Sequence, residues 1–206
     1  MTLICHITHY QNLEGICCRG GISCDNAVIQ DGISHVNIAY QHMKDRRARR
    51  NVPIPPGGTL ADYVPFYFAP RLPMLYTINQ GNVGCEARQC TIVHLVSSVE
   101  QVEAAGCSFC FTDGHADMAI SKYYRNPEHL SLLDWPLMKS RYWNDTIEDN
   151  DRKRRRQAEF LVHSFFPLTL VQEIGVFDND YRNLATEILN RMGHNIPIKV
   201  WNGWYF

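Results

Sequence analysis

The sequence predicts an α+β fold in a single domain that spans residues 1–206. Short segments rich in strand-forming residues are interspersed with helical segments, without the regular alternation of a parallel α/β protein. Of the 206 residues, 45% are hydrophobic and 20% are charged, which favours a folded domain with a sizeable core over a disordered chain. The sequence contains no internal repeat and no stretch with the composition of a linker.

Seven segments have the composition of β-strands. Each is a short run of apolar, β-branched or aromatic residues, and Pro65 within the second run is typical of a strand start or an edge strand. In chain order, the predicted strands cover residues 3–8, 63–68, 90–96, 108–112, 157–162, 170–176 and 196–201.

Helical signals separate these strands. Gly20 and Gly21 form a natural stop for the first helix, and Asp178 or Asn179 is a natural N-cap for the last. Residues 22–43 are weakly periodic and predict a long, partly helical loop, and residues 113–156 are mostly irregular. In chain order, the predicted helices cover residues 12–19, 74–78, 99–104, 130–139 and 178–192.

Eight cysteines raise the question of disulfides or a zinc site. The N-terminal segment lacks the pattern of a signal peptide, and no window has the roughly 18 to 20 apolar residues of a membrane span. We therefore expect a cytoplasmic protein without a membrane partner and without disulfides. Cys107 and Cys110 have C-x-x-C spacing, but Cys85 and Cys90 make a poor second pair, so we expect no metal site and reduced cysteines in the core.

Half of the basic residues lie in two short runs. The formal net charge is −1 and the pI is about 6.7, which at first argues against a polyanion partner. However, residues 44–50 and 152–156 together hold 10 of the 20 lysines and arginines. Each run is either a solvated face or a patch that contacts phosphates, and acidic neighbours limit the second run to short-range contacts.

Glu159 interrupts an apolar strand and is the most informative single residue. Period-2 alternation places it on one strand face with Gln157 and Leu161. An unpaired carboxylate costs several kcal/mol to bury, so Glu159 is either a partner in a buried Glu–Arg pair or a group that faces a ligand. His6 on the first strand leaves the same choice between a hydrogen-bonded core residue and a site residue.

Beyond these local patterns, the sequence resembles the DarT family of DNA ADP-ribosyltransferase toxins along essentially its whole length. The most specific part is residues 57–76, which contain the stretch DYVPFYFAPRLPMLY. Leu72 departs from the family, which commonly has serine there; the difference concerns hydrogen bonding in a turn. The other matching segments, in order, are residues 6–9, 12–13, 44–47, 111–116, 134–135, 157–162 and 204–206.

The resemblance implies a fold of two small twisted sheets, with surrounding helices, that enclose an NAD cleft. It also implies transfer of ADP-ribose from NAD to N3 of a thymine in single-stranded DNA within a short sequence motif, with release of nicotinamide. A related branch modifies guanine; the proline–glycine segment and the 63–68 block favour the thymidine branch. A macrodomain antitoxin is the partner that the resemblance implies for such a toxin.

Site residues follow from the resemblance position by position. Glu159 matches the catalytic glutamate, and Arg47 matches an arginine implicated in NAD phosphate contact and in proton removal from the base. Arginine is ordinarily a poor base, so Arg47 either has a strongly perturbed pKa or polarises the base and holds phosphate. The expected NAD-binding residues are His6, Ile7, Thr8, Gly15 and Arg47.

The segment before the Glu159 strand, residues 140–156, corresponds to the loop that presents the target in this family. Stacking on a base is expected of Tyr142 or Trp143. Backbone contacts to DNA are expected of Arg152, Arg154, Arg155 and Arg156. Two other classes remain open: a non-catalytic nucleic-acid-binding module, which would not explain Glu159, and a transferase that acts on protein or RNA.

Overall fold

Ten strands form two sheets of unequal size within residues 1–81 and 88–206, which are the residues described by this computed structural model. The larger sheet has eight strands in the order β10-β9-β4-β1-β3-β7-β5-β6, antiparallel except for the β9–β10 pair; β2 and β8 form the smaller one. The strands are β1 (Leu3–His9), β2 (Gly21–Ser23), β3 (Tyr63–Tyr67), β4 (Ile92–Ser98), β5 (Phe109–Thr112), β6 (Tyr123–Tyr124), β7 (Glu159–His163), β8 (Phe165–Pro167), β9 (Glu173–Val176) and β10 (Ile198–Val200).

Helices cover the sheets and confirm the α+β class predicted from the sequence. Gly20, at φ 71°, ends the first helix in the left-handed conformation that glycine adopts readily, as predicted. The Asp178 side chain accepts a hydrogen bond from the Tyr181 backbone and caps the last helix. The helices are α1 (Asn12–Arg19), α2 (Asp25–Gln30), α3 (Gln41–Arg49), α4 (Pro73–Asn79), α5 (Val99–Ala104), α6 (Trp135–Lys139), α7 (Arg152–Arg156) and α8 (Asn179–Arg191).

Strand β7 lies in the interior of the large sheet, between β3 and β5. Phe160 is directly opposite both Phe66 and Phe111, and all three side chains are fully buried. Burial of such side chains contributes about 1.5–3 kcal/mol each, which makes this part of the sheet a rigid support. Glu159 begins the strand opposite Tyr67, where β3 ends, so the carboxylate lies at the end of a well-packed core.

Several segments differ from the sequence prediction. Residues 22–43 contain β2, α2 and the start of α3 rather than one loop. The predicted helix over 130–139 is divided at Asp134, whose side chain accepts a hydrogen bond from the Leu137 N–H and caps the start of α6. A 3₁₀ turn, Pro127–Leu132, precedes this cap. The second basic run, placed in an irregular region by the sequence, forms the short helix α7.

The cysteines are mostly, but not all, core residues. Cys5, Cys17, Cys24 and Cys110 are buried, and burial raises the pKa of the Cys5 thiol to about 12. Cys18 is exposed, which corrects its assignment to the core. Cys85 lies outside the described residues. No helix in the described part of the chain is long and apolar enough to cross a bilayer.

His94, in the fully buried strand β4, links the sheet to the C-terminal segment. One ring nitrogen, Nδ1, lies 3.2 Å from the Tyr205 hydroxyl, and the other, Nε2, lies 3.0 Å from the Pro70 carbonyl oxygen. Burial lowers the pKa of His94 to about 4, so the folded protein holds this ring neutral.

This burial predicts an acid-sensitive stability. The unfolded chain binds a proton at His94 near pH 6.5, and the folded chain does so near pH 4. The contribution of neutral His94 to the free energy of unfolding is therefore complete above pH 6.5 and is lost as the pH falls. Between pH 7 and pH 4.5 we expect the free energy of unfolding to fall by about 2 kcal/mol through His94, and His94→Gln lacks this part of the decrease. Urea unfolding of both proteins at the two pH values measures it; equal losses would contradict the assignment.

Candidate active site

Glu159 is held by hydrogen bonds from two different segments of the chain. Arg47 Nη1, from α3, lies 2.8 Å from Oε2, and the backbone N–H of Ala116 donates to Oε1 at 2.8 Å. The Glu159 side chain is only 1% exposed and that of Arg47 12% exposed, so the ion pair is almost entirely removed from solvent. Glu159 is therefore a partner in a buried Glu–Arg pair, one of the two alternatives that the sequence left open.

The backbone around Glu159 is fixed by Thr112 at the end of β5. The Thr112 hydroxyl is fully buried, accepts the Glu159 N–H at 3.1 Å and donates to the Gly114 carbonyl at 2.6 Å. It thereby connects β7 to the 113–122 loop, which carries Ala116 and His115. A buried hydroxyl with both functions satisfied is a geometric constraint on the carboxylate.

Charge compensation keeps both members of the pair ionised. Burial opposes ionisation of Glu159, but Arg47 and then His115 hold the pKa of the carboxyl below its ordinary value. Burial likewise opposes the charge on Arg47, whereas Glu159 raises the pKa of the guanidinium. Arg47 is consequently a hydrogen-bond donor and not a proton acceptor in this arrangement.

A cavity of about 410 Å³ is lined by Arg47 of the pair, whereas Glu159 is not among the residues that line it. The residues that the sequence assigned to NAD binding all line it: His6, Ile7, Thr8, Gly15 and Arg47. Its volume is in the range of ligand sites in proteins. The Arg47 Nη2 atom is buried and has no hydrogen-bond partner among the described residues, so a donor remains available on the cavity wall for an anionic or carbonyl oxygen.

Residues to which the sequence assigned no individual role also line this cavity. Tyr67, opposite Glu159, has its pKa raised by burial and by the nearby carboxylate, so its hydroxyl stays protonated. His115 also lines the cavity, and its Nδ1 lies 3.2 Å from the Asp117 backbone nitrogen and 3.9 Å from Glu159 Oε1. A signal for His115 was present, since it belongs to the matching segment 111–116, but its contact with Glu159 depends on the fold.

His6 has both structural and ligand-facing features. Its Nδ1 lies 2.8 Å from the Pro65 carbonyl, which can only accept, so Nδ1 carries the proton and Nε2 is an acceptor. Burial lowers the pKa of His6, which favours the neutral ring that this tautomer requires. Thr8 receives a hydrogen bond from Asn12 at 2.9 Å, which orients its hydroxyl along the same cavity wall.

The second basic run does not form the free patch expected from the sequence. The Arg156 guanidinium is buried and donates to the carbonyls of Leu137, Met138 and Arg71, so it is not the exposed cation that the sequence predicted. Arg154 pairs with Asp113 at 2.8 Å and with Asp151 at 2.7 Å.

The remaining residues of that run and the loop before it are held in a similar way. Arg155 pairs with Asp134 at 3.3 Å and with Asp149, and Arg152 donates to the Tyr142 carbonyl at 2.8 Å. These contacts fix the 140–151 segment against α7. Trp143 is buried and packs edge-on against Tyr76, which leaves the 75% exposed Tyr142 as the aromatic residue of this pair that is open to a base.

The first basic run lies on α3, and three of its residues form ion pairs. Arg47 enters the site, Lys44 pairs with Asp25 at 3.1 Å, and Arg46 pairs with the buried Asp117. Since Asp117 follows Ala116, the Arg46 pair connects α3 to the same loop that binds Glu159. Most of this run therefore assembles the site and is not a uniform solvated face.

Comparison with known proteins places this geometry in a defined group. A family model described as "ssDNA thymidine ADP-ribosyltransferase, DarT" matches residues 5–206. A Thermus aquaticus protein named DNA ADP-ribosyl transferase is 42% identical over 207 aligned positions, which cover 100% of this chain and 89% of the relative. An Escherichia coli O127:H6 protein of the same name is 34% identical, over 99% of this chain and 93% of its own length.

Solved structures agree in fold over the whole chain. Thermus sp. 2.9 DarT in complex with ADP-ribosylated ssDNA superimposes with a TM-score of 0.94 at 40% identity, covering 100% of this chain and 96% of that one. The same protein in complex with NAD+ superimposes with a TM-score of 0.90 at 38% identity, covering 100% and 98%.

The role of Thr112 leads to a stability prediction. Thr112→Val leaves the Glu159 N–H and the Gly114 carbonyl without their buried partner, so we expect a loss of about 1–3 kcal/mol in the free energy of unfolding. Thr112→Ser keeps the hydroxyl and serves as the matched control in urea unfolding. If the two variants are equally stable, the hydroxyl does not hold the start of β7.

Proposed function

We propose, from the premise that this chain belongs to the DarT family, that it transfers ADP-ribose from NAD to N3 of a thymine in single-stranded DNA in a sequence-dependent manner. Its membership rests on the family model that matches residues 5–206 and on relatives up to 42% identical along the whole chain. The chain is accordingly a DNA ADP-ribosyltransferase that uses NAD as co-substrate. The base, the atom and the sequence dependence are the parts that we add.

One observation carries the proposal: an ionised carboxylate, buried by the core, is paired with an arginine that lines a cavity large enough for a nucleotide ligand. Cleavage of the bond between nicotinamide and ribose leaves positive charge on the ribose. A fixed negative charge in a water-poor site stabilises such a cation far better than it would in water. A Glu159 oxygen has lone pairs beyond those used by Arg47 and Ala116, which suits it to accept the ribose 2′-OH.

The surrounding residues have complementary roles in this proposal. His6, with its free Nε2 acceptor, and the Thr8 hydroxyl would hold ribose or amide groups of NAD along β1. The free Arg47 nitrogen would bind a phosphate oxygen or polarise the thymine carbonyl. Because Glu159 keeps Arg47 protonated, we assign it this donor role and not that of the base.

In the reaction, the nicotinamide C–N bond breaks and its electron pair leaves with nicotinamide. Thymine N3 forms the new bond to the same ribose carbon and releases its proton. Tyr142, exposed in the 140–151 segment that is held against α7, would stack on a base of the strand. The resemblance further supports a toxin of the cytoplasm that is counteracted by a macrodomain antitoxin; relief of its toxicity by a co-expressed macrodomain tests that part.

Loss of the carboxylate charge tests the mechanism. Glu159→Gln keeps the shape of the side chain but not its charge, and we expect transfer of label from NAD to an oligonucleotide to fall by at least about 10²–10³-fold. Glu187→Gln, an exposed change on α8, is the control and keeps full activity. Since the change leaves Arg47 without its buried counter-charge, the assay is run where circular dichroism shows the variant folded.

A modified base tests the acceptor atom. An oligonucleotide whose target thymine carries a methyl group on N3 has no free N3 to attack, so we expect no product from it. The unmodified strand is the control, and mass spectrometry of its product locates the ADP-ribose. Product on guanine, or on the N3-methylated thymine at another atom, would contradict this part of the proposal.

A further inference from the structure

A second cavity, of about 850 Å³, lies away from the first and shares no lining residue with it. We call it the basic pocket, because its wall holds four cationic side chains: Arg71, Lys139, Arg141 and Arg156. Among the described residues, none of those that line it is acidic. Trp135, Trp204 and Tyr205 supply aromatic surface in the same wall.

Among the described residues, no carboxylate forms an ion pair with a cation of the basic pocket. Arg156, 3% exposed, donates only to main-chain carbonyls, and its buried Nε has no partner in the described part of the chain. Burial, and then the neighbouring Arg71, lower the pKa of Arg156 to about 10. Burial and Arg141 lower the pKa of Arg71 in the same way, so like charges face one another here.

This arrangement contrasts with the rest of the same helix. Arg154 and Arg155 form ion pairs with carboxylates, whereas Arg156, next along the chain, donates to carbonyl groups and has another cation as its charged neighbour. Grouped cations without counter-charges oppose folding, and an anion that enters the pocket would relieve this repulsion. The pocket is therefore electrostatically prepared for a negatively charged ligand.

Two residues that line the basic pocket are close along the chain to residues of the active site. Arg71 is four residues beyond Tyr67, which lies opposite Glu159, and Arg156 is three residues before Glu159. Four residues span at most about 14 Å, so a strand with its target at Glu159 has only a short distance to cover. Arg71 is fixed in place by the Phe206 ring, 4.2 Å from its guanidinium carbon, and by donation from Nε to the Tyr205 carbonyl at 2.9 Å.

We propose that the basic pocket binds the part of the single-stranded DNA that flanks the modified nucleotide, with its cations on the phosphates and the partly exposed Trp204 against a base. This inference rests on the proposed function, since it assumes that DNA is the acceptor. A groove with cations along the backbone and aromatic rings for the bases is the general design of sites for single strands. Four cations in one pocket suit a chain of phosphates better than a single anion.

The test removes the two exposed cations of the pocket, Lys139 and Arg141, whose side chains form no hydrogen bond or ion pair with the described residues. Lys139→Gln/Arg141→Gln is compared with Arg125→Gln/Arg182→Gln, which removes the same charge from exposed positions elsewhere. For an oligonucleotide of about 20 nucleotides, we expect Kd and KM to be roughly tenfold higher in the pocket variant. The slope of log K against log salt concentration should fall by about 1.4, because two phosphate contacts are lost and each contributes about 0.7. Its kcat and its KM for NAD stay unchanged, and the control variant behaves like wild type.

Oligonucleotide length separates the pocket from the catalytic centre. An oligonucleotide too short to extend beyond the Glu159 site is expected to bind the pocket variant as tightly as it binds the wild type. Unchanged Kd for the long strand, or an equal loss in the control variant, overturns the proposal. If the wild type transfers no ADP-ribose to any oligonucleotide, the proposed function fails, while fluorescence anisotropy with labelled DNA still decides whether the pocket binds it.

Discussion

The buried ion pair between Arg47 and Glu159 is the interaction on which the rest of the structure depends. A carboxylate at the end of an apolar strand would cost several kcal/mol if left unpaired, and removal of one partner of such a pair typically destabilises a protein by about 3–5 kcal/mol. The chain meets this constraint with elements distant in sequence, since the two residues are 112 positions apart. Helix α3, the 113–122 loop and strand β7 are thereby held in one arrangement, so the same contacts serve stability and the site.

Much of the remaining charge is arranged around that pair. Arg46 and Asp117 tie α3 to the loop that binds Glu159, and Arg154 ties α7 to Asp113 at the start of the same loop. The net charge of −1 therefore combines regions where basic and acidic residues pair with one region where basic residues are in excess. The excess is concentrated at Arg71, Arg141 and Arg156, where carbonyl groups and neighbouring cations take the place of acids. Position in the fold, and not the total, decides which basic residues are available to a polyanion.

The sequence predicts the site better than it predicts the loops. Glu159 stands out because strand alternation and the cost of burial apply without knowledge of the fold, and the family resemblance adds Arg47 and the residues of β1. The same rules mislead for Arg156, because a run of five cations normally indicates a solvated face. Its burial depends on carbonyls of Leu137 and Met138, which only the tertiary fold brings near. The capping by Asp134 that divides a predicted helix is likewise a local signal that helical periodicity alone does not show.

The two alternatives for Glu159, structural ion pair or ligand-facing carboxylate, are not exclusive. The pair keeps the carboxylate ionised, and an ionised, desolvated carboxylate is what a developing cation on the ribose requires. The fixed bond from Ala116 holds one oxygen in place, while Arg47 retains a free nitrogen on the cavity wall. A ligand that binds this nitrogen would gain a charged donor already positioned by Glu159, without a cost for ordering it. In the proposed reaction, neutralisation of Glu159 would therefore weaken the ligand contact assigned to Arg47 as well as the charge stabilisation, since both depend on the same ion pair.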